Sequence, residues 1–527
     1  MTVGNGPMSI VVQGAALVSL VWSCIVFLVQ GIGILQIFRH HSAPKAKPVS
    51  PCLKDDEVPH ITLIRPVKGV EEGLYECLAS SFRLAYPRSK LTIYFCVSSV
   101  SDPAYPIIQQ AVADFPGFDA RVLVEEEDPL LHGNGGHVNN LGPNPKIRNM
   151  SRAYREAKGD IIWIADCNVW VGTGSAGRMV DKLCGFRSDG GRTTPYKFVH
   201  QLPLVVDVGF PGDAREHGLL ATHAVHPHPP KSVLDYGGRL EELFMSTTHA
   251  KFYGAINTVG IAPCIIGKSN MFRKSHLDRF SDPSQNPILS TKDASRGRGL
   301  DFFSSYICED HLIGDLIWRS RLPGFRNHGL VFGELAIQPI SGMSVAAYIA
   351  RRVRWLRVRK WTVLLATLVE PGVESLVCCL YLSFALTTLT RFHETFGVTQ
   401  TWAAMGRIWL SAVTVWMLVD RWVYQKLHKL QSVEADEHTP FFALGPCRRG
   451  GIQQRPFLEW LAAWLGRELL ALPIWTWAVL LGASVNWRGK HFKVRMDMSV
   501  VEIEGPKRPP AVPSPNHVNS CNKDRID

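Results

Sequence analysis

The chain predicts an α/β layered domain with a mainly parallel sheet, tied to a membrane at both ends. Two patterns carry that prediction. Between residues 59 and 360, apolar runs of strand length alternate with stretches whose apolar residues recur at helical spacing, the succession expected of parallel α/β domains. On either side stand apolar segments long enough to enter a bilayer. With 527 residues the chain has room for one large domain and further elements besides.

The first element is apolar. No charged side chain occurs from Met1 to Phe38, and Ile10 to Phe38 exceeds the roughly 20 residues a span requires. The stretch is too long for the core of a cleaved signal peptide, and no small-residue cleavage site is evident, so residues 1–39 read as a signal anchor. Arg39, Lys45 and Lys47 follow it and nothing charged precedes it, which places the next domain in the cytosol. Residues 40–58 form a polar, Pro-rich linker.

Within 59–360 the strand candidates are "ITLIRPV" (61–67), "LTIYFCVSS" (91–99), "RVLVEE" (121–126), "DIIWIAD" (160–166), "FVHQLP" (198–203) and "CIIGKSNMF" (264–272). Between them, "KIRNMSRAYREAK" (146–158) repeats Ile147, Met150 and Tyr154 on one helical face. Ligands of such sheets bind at the carboxyl ends of the strands. Residues 127–143, 281–300 and 431–452 are rich in turn formers and read as surface insertions. No Walker-type loop and no GxGxxG follows a strand, which disfavours P-loop and dinucleotide chemistry.

Residues 361–495 hold apolar segments at 361–390, 402–424 and 464–486, expected to be transmembrane or interfacial helices. Glu370-Pro371-Gly372 and Glu374 interrupt the first, so its first half is expected at the interface and 375–390 deeper. Arg467, Glu468 and Pro473 lie in the last, which ends in the basic "WRGKHFKVR" (487–495). Three full spans would put that basic stretch on the non-cytosolic side, against the charge rule, so one segment is expected to be re-entrant or interfacial. Residues 496–527 form a tail, Pro-rich and polar from Gly505 and expected to be disordered.

The net charge of +11 lies largely beside the apolar segments, with no recognition motif interleaving Arg and aromatics; it fits a membrane surface better than nucleic acid. Twelve cysteines without CxxC spacing indicate neither a zinc site nor a disulfide framework.

Chemistry is suggested by carboxylates at element ends. Asp102 follows the strand 91–97 and Asp166 closes "DIIWIAD", both at a rim where a nucleotide could sit. An acid there can accept ribose hydrogen bonds or hold a divalent cation, although strand-end Asp also starts turns and caps helices. Glu309-Asp310 open a helical pattern with Ile313, Leu316 and Ile317. The helix dipole favours acids at that position; two crowded carboxylates also lift one pKa toward general-base values. Before the C-terminal segments stands "RRVRW" (351–355), whose arginines alone would read as membrane anchors, as would Arg357, Arg359 and Lys360.

Taken in order, these motifs resemble the ceramide glucosyltransferases, inverting membrane enzymes of the GT-A class that move glucose from UDP-glucose to the primary hydroxyl of ceramide. Asp102 in a "DPA" context, Asp166, Glu309-Asp310 and Arg351-x-x-Arg354-Trp355 fall in the family's sequence. "RPVKGV" (65–70), "NPKIRNM" (144–150), "TTHAKFY" (247–253) and "CIIGKSNMFRK" (264–274) also look like family stretches, and the resemblance runs from about residue 9 to 497 apart from the insertions. It implies a GT-A, Rossmann-like nucleotide-sugar domain. On that reading Asp102, Asp166, Lys68, Arg351, Arg354 and Trp355 bind the UDP-sugar, with Asp166 near a Mg2+ or Mn2+. Asp310 would be the base, Arg354 would offset charge on the leaving diphosphate, and Trp355 would shape the acceptor side. His249, Cys264 and Glu309 would lie in the acceptor or active-site vicinity, Cys264 being linked to thiol-reagent sensitivity. The implied partners are UDP-glucose, ceramide and the bilayer, at a Golgi or ER-associated membrane.

Two departures from the family pattern stand out. Ser98, Ser99 and Ser101 replace acids often found near the first aspartate, and Asp166-Cys167-Asn168 lacks the second carboxylate of a DxD signature. Both bear on how many contacts a metal would find. A processive polysaccharide synthase shares the aspartates, but such enzymes resemble one another in starting the pentad with Gln and need several long spans. A non-enzymatic membrane scaffold that only binds a nucleotide would not need the full set of carboxylates and arginines.

Overall fold

The computed structural model describes residues 7–132, 141–209, 235–290 and 296–503. Helix α1 (Pro7–His40) leads into a seven-stranded sheet: β1 (Ile61–Pro66), β2 (Leu91–Val97), β3 (Asp119–Val124), β4 (Ile161–Ala165), β5 (Tyr196–Asp207), β6 (Ser269–Arg273) and β7 (Arg326–Ile340). The strand order is β3-β2-β1-β4-β6-β5-β7. Every residue of β1, β2 and β4 is buried, which is why they read as predominantly apolar runs, with Thr62, Arg65 and Thr92 as the buried exceptions. The pairs β1–β2, β2–β3, β1–β4 and β5–β7 are parallel, whereas β6 runs antiparallel to both neighbours. Because β1, β2 and β4 are parallel neighbours, their carboxyl ends open on one edge.

Cores cover both faces of the sheet. Helix α2 (Pro145–Arg155) lays Ile147, Met150 and Tyr154 with Ile64, Tyr94 and Ile162; the opposite face joins Leu63, Ile93 and Trp163 to Met179 and Val180. Two strands differ from expectation. Residues 264–268 are a loop, so β6 begins only at Ser269. β7 lies outside the expected strands, because Gly329, Gly333 and Pro339 read as breakers. As an edge strand with β5 as its strand partner and a single bridge from Ile337 to Trp170, it tolerates them, with a register shift between His200 and Leu202 and Gly333 at φ +86°.

Helices α3 (Gly237–Ser246) and α4 (Thr248–Val259) connect the sheet to the apolar part, and α5 (Glu309–Arg319) and α6 (Val345–Arg359) flank β7. Helix α4 lies along α1; a Cβ at Gly33 would overlap the Lys251 carbonyl, so glycine permits the crossing. After α6 come α7 (Ser375–Thr388), α8 (Trp402–His428) and α9 (Phe457–Trp475). By length and composition, α1 and α8 can each cross a membrane, and α7 joins them if taken with Leu364–Val373, from which it bends by 73°. Helix α9 packs on α3 and buries Arg467, whose Nη1 donates to Thr248 Oγ1 at 2.9 Å and to Glu374 Oε2 at 3.1 Å.

The basic stretch 487–495 belongs to a small antiparallel sheet of β8 (Ser484–Trp487), β9 (Lys490–Val494) and β10 (Val500–Glu502). Arg488 and Gly489 both take positive φ, the two-residue hairpin geometry that matches strand twist. Residues 431–452 are not a loose insertion, since Val433, Phe442 and Ala443 enter the core beside β5 and β7. Residues 133–140, 291–295 and the tail from Gly505 lie outside the described residues.

Candidate active site

Asp102 sits in the turn after β2, where its Oδ1 accepts from Gly69 N at 2.8 Å and Ala104 N at 2.9 Å. It thereby ties the β1 loop to the start of the next helix. Lys68, one residue earlier in that loop, donates from Nζ to the Arg488 carbonyl at 2.6 Å. Asp166 follows β4 on the same edge. Its carboxylate meets Lys146 Nζ at 3.0 Å and Lys268 Nζ at 3.1 Å. Burial disfavours its charge, yet Lys146 and then Lys268 outweigh burial and hold it well below the usual carboxylate range. Beneath the loop, the buried Arg65 guanidinium donates to the carbonyls of Asp166, Val169 and Cys77, each at 2.8 Å, and so fixes the backbone that presents Asp166.

Lys146 enters because Asn144 caps α2, its Oδ1 accepting from Lys146 N at 2.8 Å and Ile147 N at 3.1 Å. The ammonium bridges Asp166 to Glu309 Oε1, 3.2 Å away. Although burial works against a charged lysine, Asp166, Glu309 and Asp310 keep it protonated well above its ordinary range. Glu309 is 4% exposed and also receives Asn144 Nδ2 at 3.2 Å, so it is a braced, internal group. Asp310, next to it on the first turn of α5, keeps part of its surface open. Burial pushes the Asp310 carboxyl up, Lys146 opposes this, and the Asp166 charge adds to the rise. Gly267 closes on it: a Cβ there would stand 2.8 Å from Asp310 Oδ2. The result is a partly exposed carboxylate of raised basicity at the carboxyl edge of a parallel sheet, beside two lysines that pair with Asp166.

The pentad lies on α6. Arg351 Nε donates to the buried Glu241 Oε1 on α3 at 2.8 Å, and its guanidinium stacks 4.7 Å from the Trp355 ring. Arg354 follows one turn after Arg351, on the same side of the helix. The other basic residues, expected as membrane anchors, also have partners within the protein. Arg352 and Arg359 pair with Glu370, Arg357 donates to the Ser484 carbonyl at 2.7 Å, and Lys360 to the Val479 carbonyl at 2.5 Å. Each clamps α6 to the C-terminal segments.

His249 stacks on Tyr253 at 5.1 Å and lies 5.8 Å from Phe244, which meets Trp355 edge-on at 6.5 Å. Burial, with Arg352 and Arg359 nearby, pushes the His249 imidazole down to about 3, so it is neutral at physiological pH. Burial pushes the Cys264 thiol up to about 12. The structure therefore gathers Asp166, Glu309 and Asp310 into one cluster and places Asp102 and Lys68 on the same rim. Phe244, His249, Arg351 and Trp355 form a separate aromatic and ionic patch. Lys146, Lys268, Gly267 and Arg65 lie in stretches that the sequence reading quoted, but nothing in a lone lysine or glycine marks it as a partner of a distant carboxylate.

Residues 23–204 and 285–500 match the model of glycosyl transferase family 21. The chain belongs to that family. Among its relatives, the ceramide glucosyltransferase of Pyricularia oryzae is 57% identical over 519 residues, covering 98% of this chain and 99% of that protein. The ceramide glucosyltransferase of Gibberella zeae is 49% identical, covering 96% and 98%. Family membership and the strand order together make the catalytic domain a GT-A glycosyltransferase domain. Among solved structures, a mannosyltransferase from Pyrobaculum calidifontis in complex with GDP-Man and Mn2+ aligns with a TM-score of 0.38 at 14% identity, covering 79% of this chain and 98% of that one.

Proposed function

We propose that this family 21 enzyme transfers glucose from UDP-glucose to the primary hydroxyl of ceramide, with inversion at the anomeric carbon. The observation that carries the reading is the Glu309-Asp310 pair. Burial raises both carboxyls, but Glu309 is internal and spent on Lys146 and Asn144, whereas Asp310 keeps part of its surface exposed. Asp310 takes the proton of the attacking hydroxyl while that oxygen bonds to the anomeric carbon and the bond to UDP breaks on the opposite face. Lys146 and Lys268 lie beside Asp166 and supply positive charge where the leaving diphosphate gathers its own. Asp102 and Lys68 would hold the nucleotide at the strand ends, and Arg354 would meet the diphosphate from α6. The near-full-length ceramide glucosyltransferase relatives support both donor and acceptor.

The implied Mg2+ or Mn2+ fits poorly. Among the described residues no group of three or more His, Cys, Asp or Glu side chains could hold a metal, and both Asp166 oxygens already face ammonium groups. No step is assigned to a metal here.

The membrane arrangement serves the same reaction. Because Lys68 bonds the Arg488 carbonyl, the β8–β10 sheet must share the catalytic domain's side of the membrane, so the chain between them crosses an even number of times. Crossing out by α7 and back by α8 satisfies this and leaves α9 against the protein, with the domain on the cytosolic side as Arg39, Lys45 and Lys47 demand. A Golgi or ER-associated membrane follows from the family resemblance.

The test is transfer to a fluorescent ceramide from UDP-glucose and, separately, from UDP-galactose, with Asp310→Asn alongside the native enzyme. A lipid-soluble glucosylated product is expected, and its loss in Asp310→Asn with UDP binding retained. A polymeric product, or an active Asp310→Asn enzyme, would overturn the proposal.

A further inference from the structure

Away from the carboxylate cluster, α1, α7 and α8 enclose a cavity of about 560 Å³, within the range of small-ligand sites (roughly 300–1,000 Å³). Phe27, Ile34, Leu382, Ile408 and Val415 make its walls largely apolar, with Arg407 and Ser411 of α8 the polar exceptions. Its floor is polar and fully internal. Lys251 of α4 bonds Asp420 Oδ1 of α8 at 2.5 Å and Gln30 Oε1 of α1 at 2.7 Å, while Trp464 Nε1 donates to Asp420 Oδ2 at 2.9 Å. Ionisable groups at such depth commonly mark a ligand site rather than a packing device.

Two side chains lining the cavity carry donors that nothing satisfies. Gln30 is 5% exposed and Trp416 4%, and neither Gln30 Nε2 nor Trp416 Nε1 has a hydrogen-bond partner. Leaving both unmet would be costly, so a ligand oxygen is called for. The setting says which kind: α1 and α8 are long and apolar enough to cross a membrane, so a lipid is the available ligand. Gln30 lies ten residues, about 15 Å, before the C-terminal end of α1, the end that leads into the catalytic domain. From Val419 to Ile408 the cavity follows α8 for about 16 Å, room for an acyl chain.

We propose that this cavity holds one diacyl glycerolipid of the leaflet facing the catalytic domain, its ester carbonyls accepting from Gln30 and Trp416 and an acyl chain lying along α8. The floor offers donors, while both Asp420 oxygens are taken by Lys251 and Trp464, so a ligand that only accepts hydrogen bonds is favoured over ceramide, which also brings donors. The site lies on the α1 side of α4. It is a lipid site additional to the acceptor's.

The test uses the full chain in nanodiscs with two phosphatidylcholines carrying a diazirine at the same chain position, one a diester and one a dialkyl ether. The diester is expected to label peptides covering residues 27–34 and 408–419 about tenfold more than the ether, the worth of a buried hydrogen bond. Gln30→Leu narrows that difference, since the Trp416 donor remains. Because Gln30 also braces Lys251, Ser411→Trp provides a second variant that fills the cavity from α8 and lowers diester labelling of the same peptides. Equal labelling by diester and ether means bulk lipid contact only and overturns the proposal. So does displacement of the diester by short-chain ceramide, which would make the cavity part of the acceptor's route.

Discussion

Replacing Gly267 by alanine probes Asp310 without touching its chemistry. The new Cβ would meet Asp310 Oδ2 at 2.8 Å, Cγ at 3.1 Å and Cβ at 3.2 Å. Ordinary contact begins at 3.4 Å, so the methyl intrudes by about 0.6 Å. The Oδ2 end of Asp310 can rotate aside, which itself displaces the base, whereas its Cβ cannot. Asp310 is fixed by the first turn of α5, and the Gly267 loop is pinned by Lys268 N on the Ile266 carbonyl at 2.9 Å and by Asp166 N on the Lys268 carbonyl at 3.0 Å. Gly267 is not among the glycines with positive φ, so alanine adds no backbone strain and the effect is steric. Overpacking of this kind costs about 1–3 kcal/mol of stability, and a catalytic group displaced by up to about 1 Å loses up to about 10²-fold in rate. We expect kcat to fall about 30- to 100-fold, or about 2–3 kcal/mol of barrier, with little change in UDP affinity. Initial rates with UDP-glucose and a fluorescent ceramide, calorimetric UDP binding and a thermal melt of the same preparation separate these effects. Native kcat in Gly267→Ala would refute Asp310 as the base; equal losses of UDP binding and rate would place Gly267 at the donor instead.

Three further outcomes follow from the same geometry. Asp310 must be ionised to act, so kcat falls as pH drops through its raised pKa; Lys146 holds that pKa down, and Lys146→Met should move the acid limb of the kcat profile to higher pH. An unmoved limb would remove Lys146 from the electrostatics of the base. Glu241→Ala strands the buried Arg351 guanidinium and should cost about 3–5 kcal/mol, seen as a lower thermal midpoint; an unchanged midpoint would mean that Arg351 finds another partner. Burial pushes the Cys264 thiol up to about 12, so it carries little thiolate near neutral pH and should alkylate more slowly than the exposed Cys52 and Cys447, as peptide mapping would show. Faster alkylation of Cys264 would contradict its raised thiol.

What the sequence disclosed of the fold depended on whether a signal was local. β1, β2 and β4 are fully buried, so their runs were predominantly apolar and their ends fell within two residues of the expected positions. β7 escaped because its glycines and proline obey edge-strand and bulge rules that only the finished sheet reveals. The basic 487–495 stretch read as a membrane flank, although charge composition does not register the Arg488-Gly489 turn that folds it into a hairpin. The carboxylates were legible for the opposite reason. An acid at a strand or helix end is marked by its position, whereas Lys146, Lys268 and Gly267 acquire meaning only from partners 20, 102 and 43 residues away, at Asp166, Asp166 and Asp310.

Those unannounced partners decide how the cluster behaves as a unit. Asp166, Glu309 and Asp310 face two ammonium groups, Lys146 and Lys268, so full ionisation leaves one excess negative charge in a poorly solvated place. A proton on the Glu309-Asp310 pair removes the excess, which is the physical content of the raised Asp310 carboxyl. On the proposed function, a nucleoside diphosphate bound beside Lys268 would add negative charge to the same balance and raise Asp310 further. The carboxylate would then be the stronger base while the donor is bound, when a hydroxyl has an anomeric carbon to attack, and weaker in the empty site. Donor binding and base strength would be coupled through the two lysines, and a substitution that removes either lysine should disturb both together.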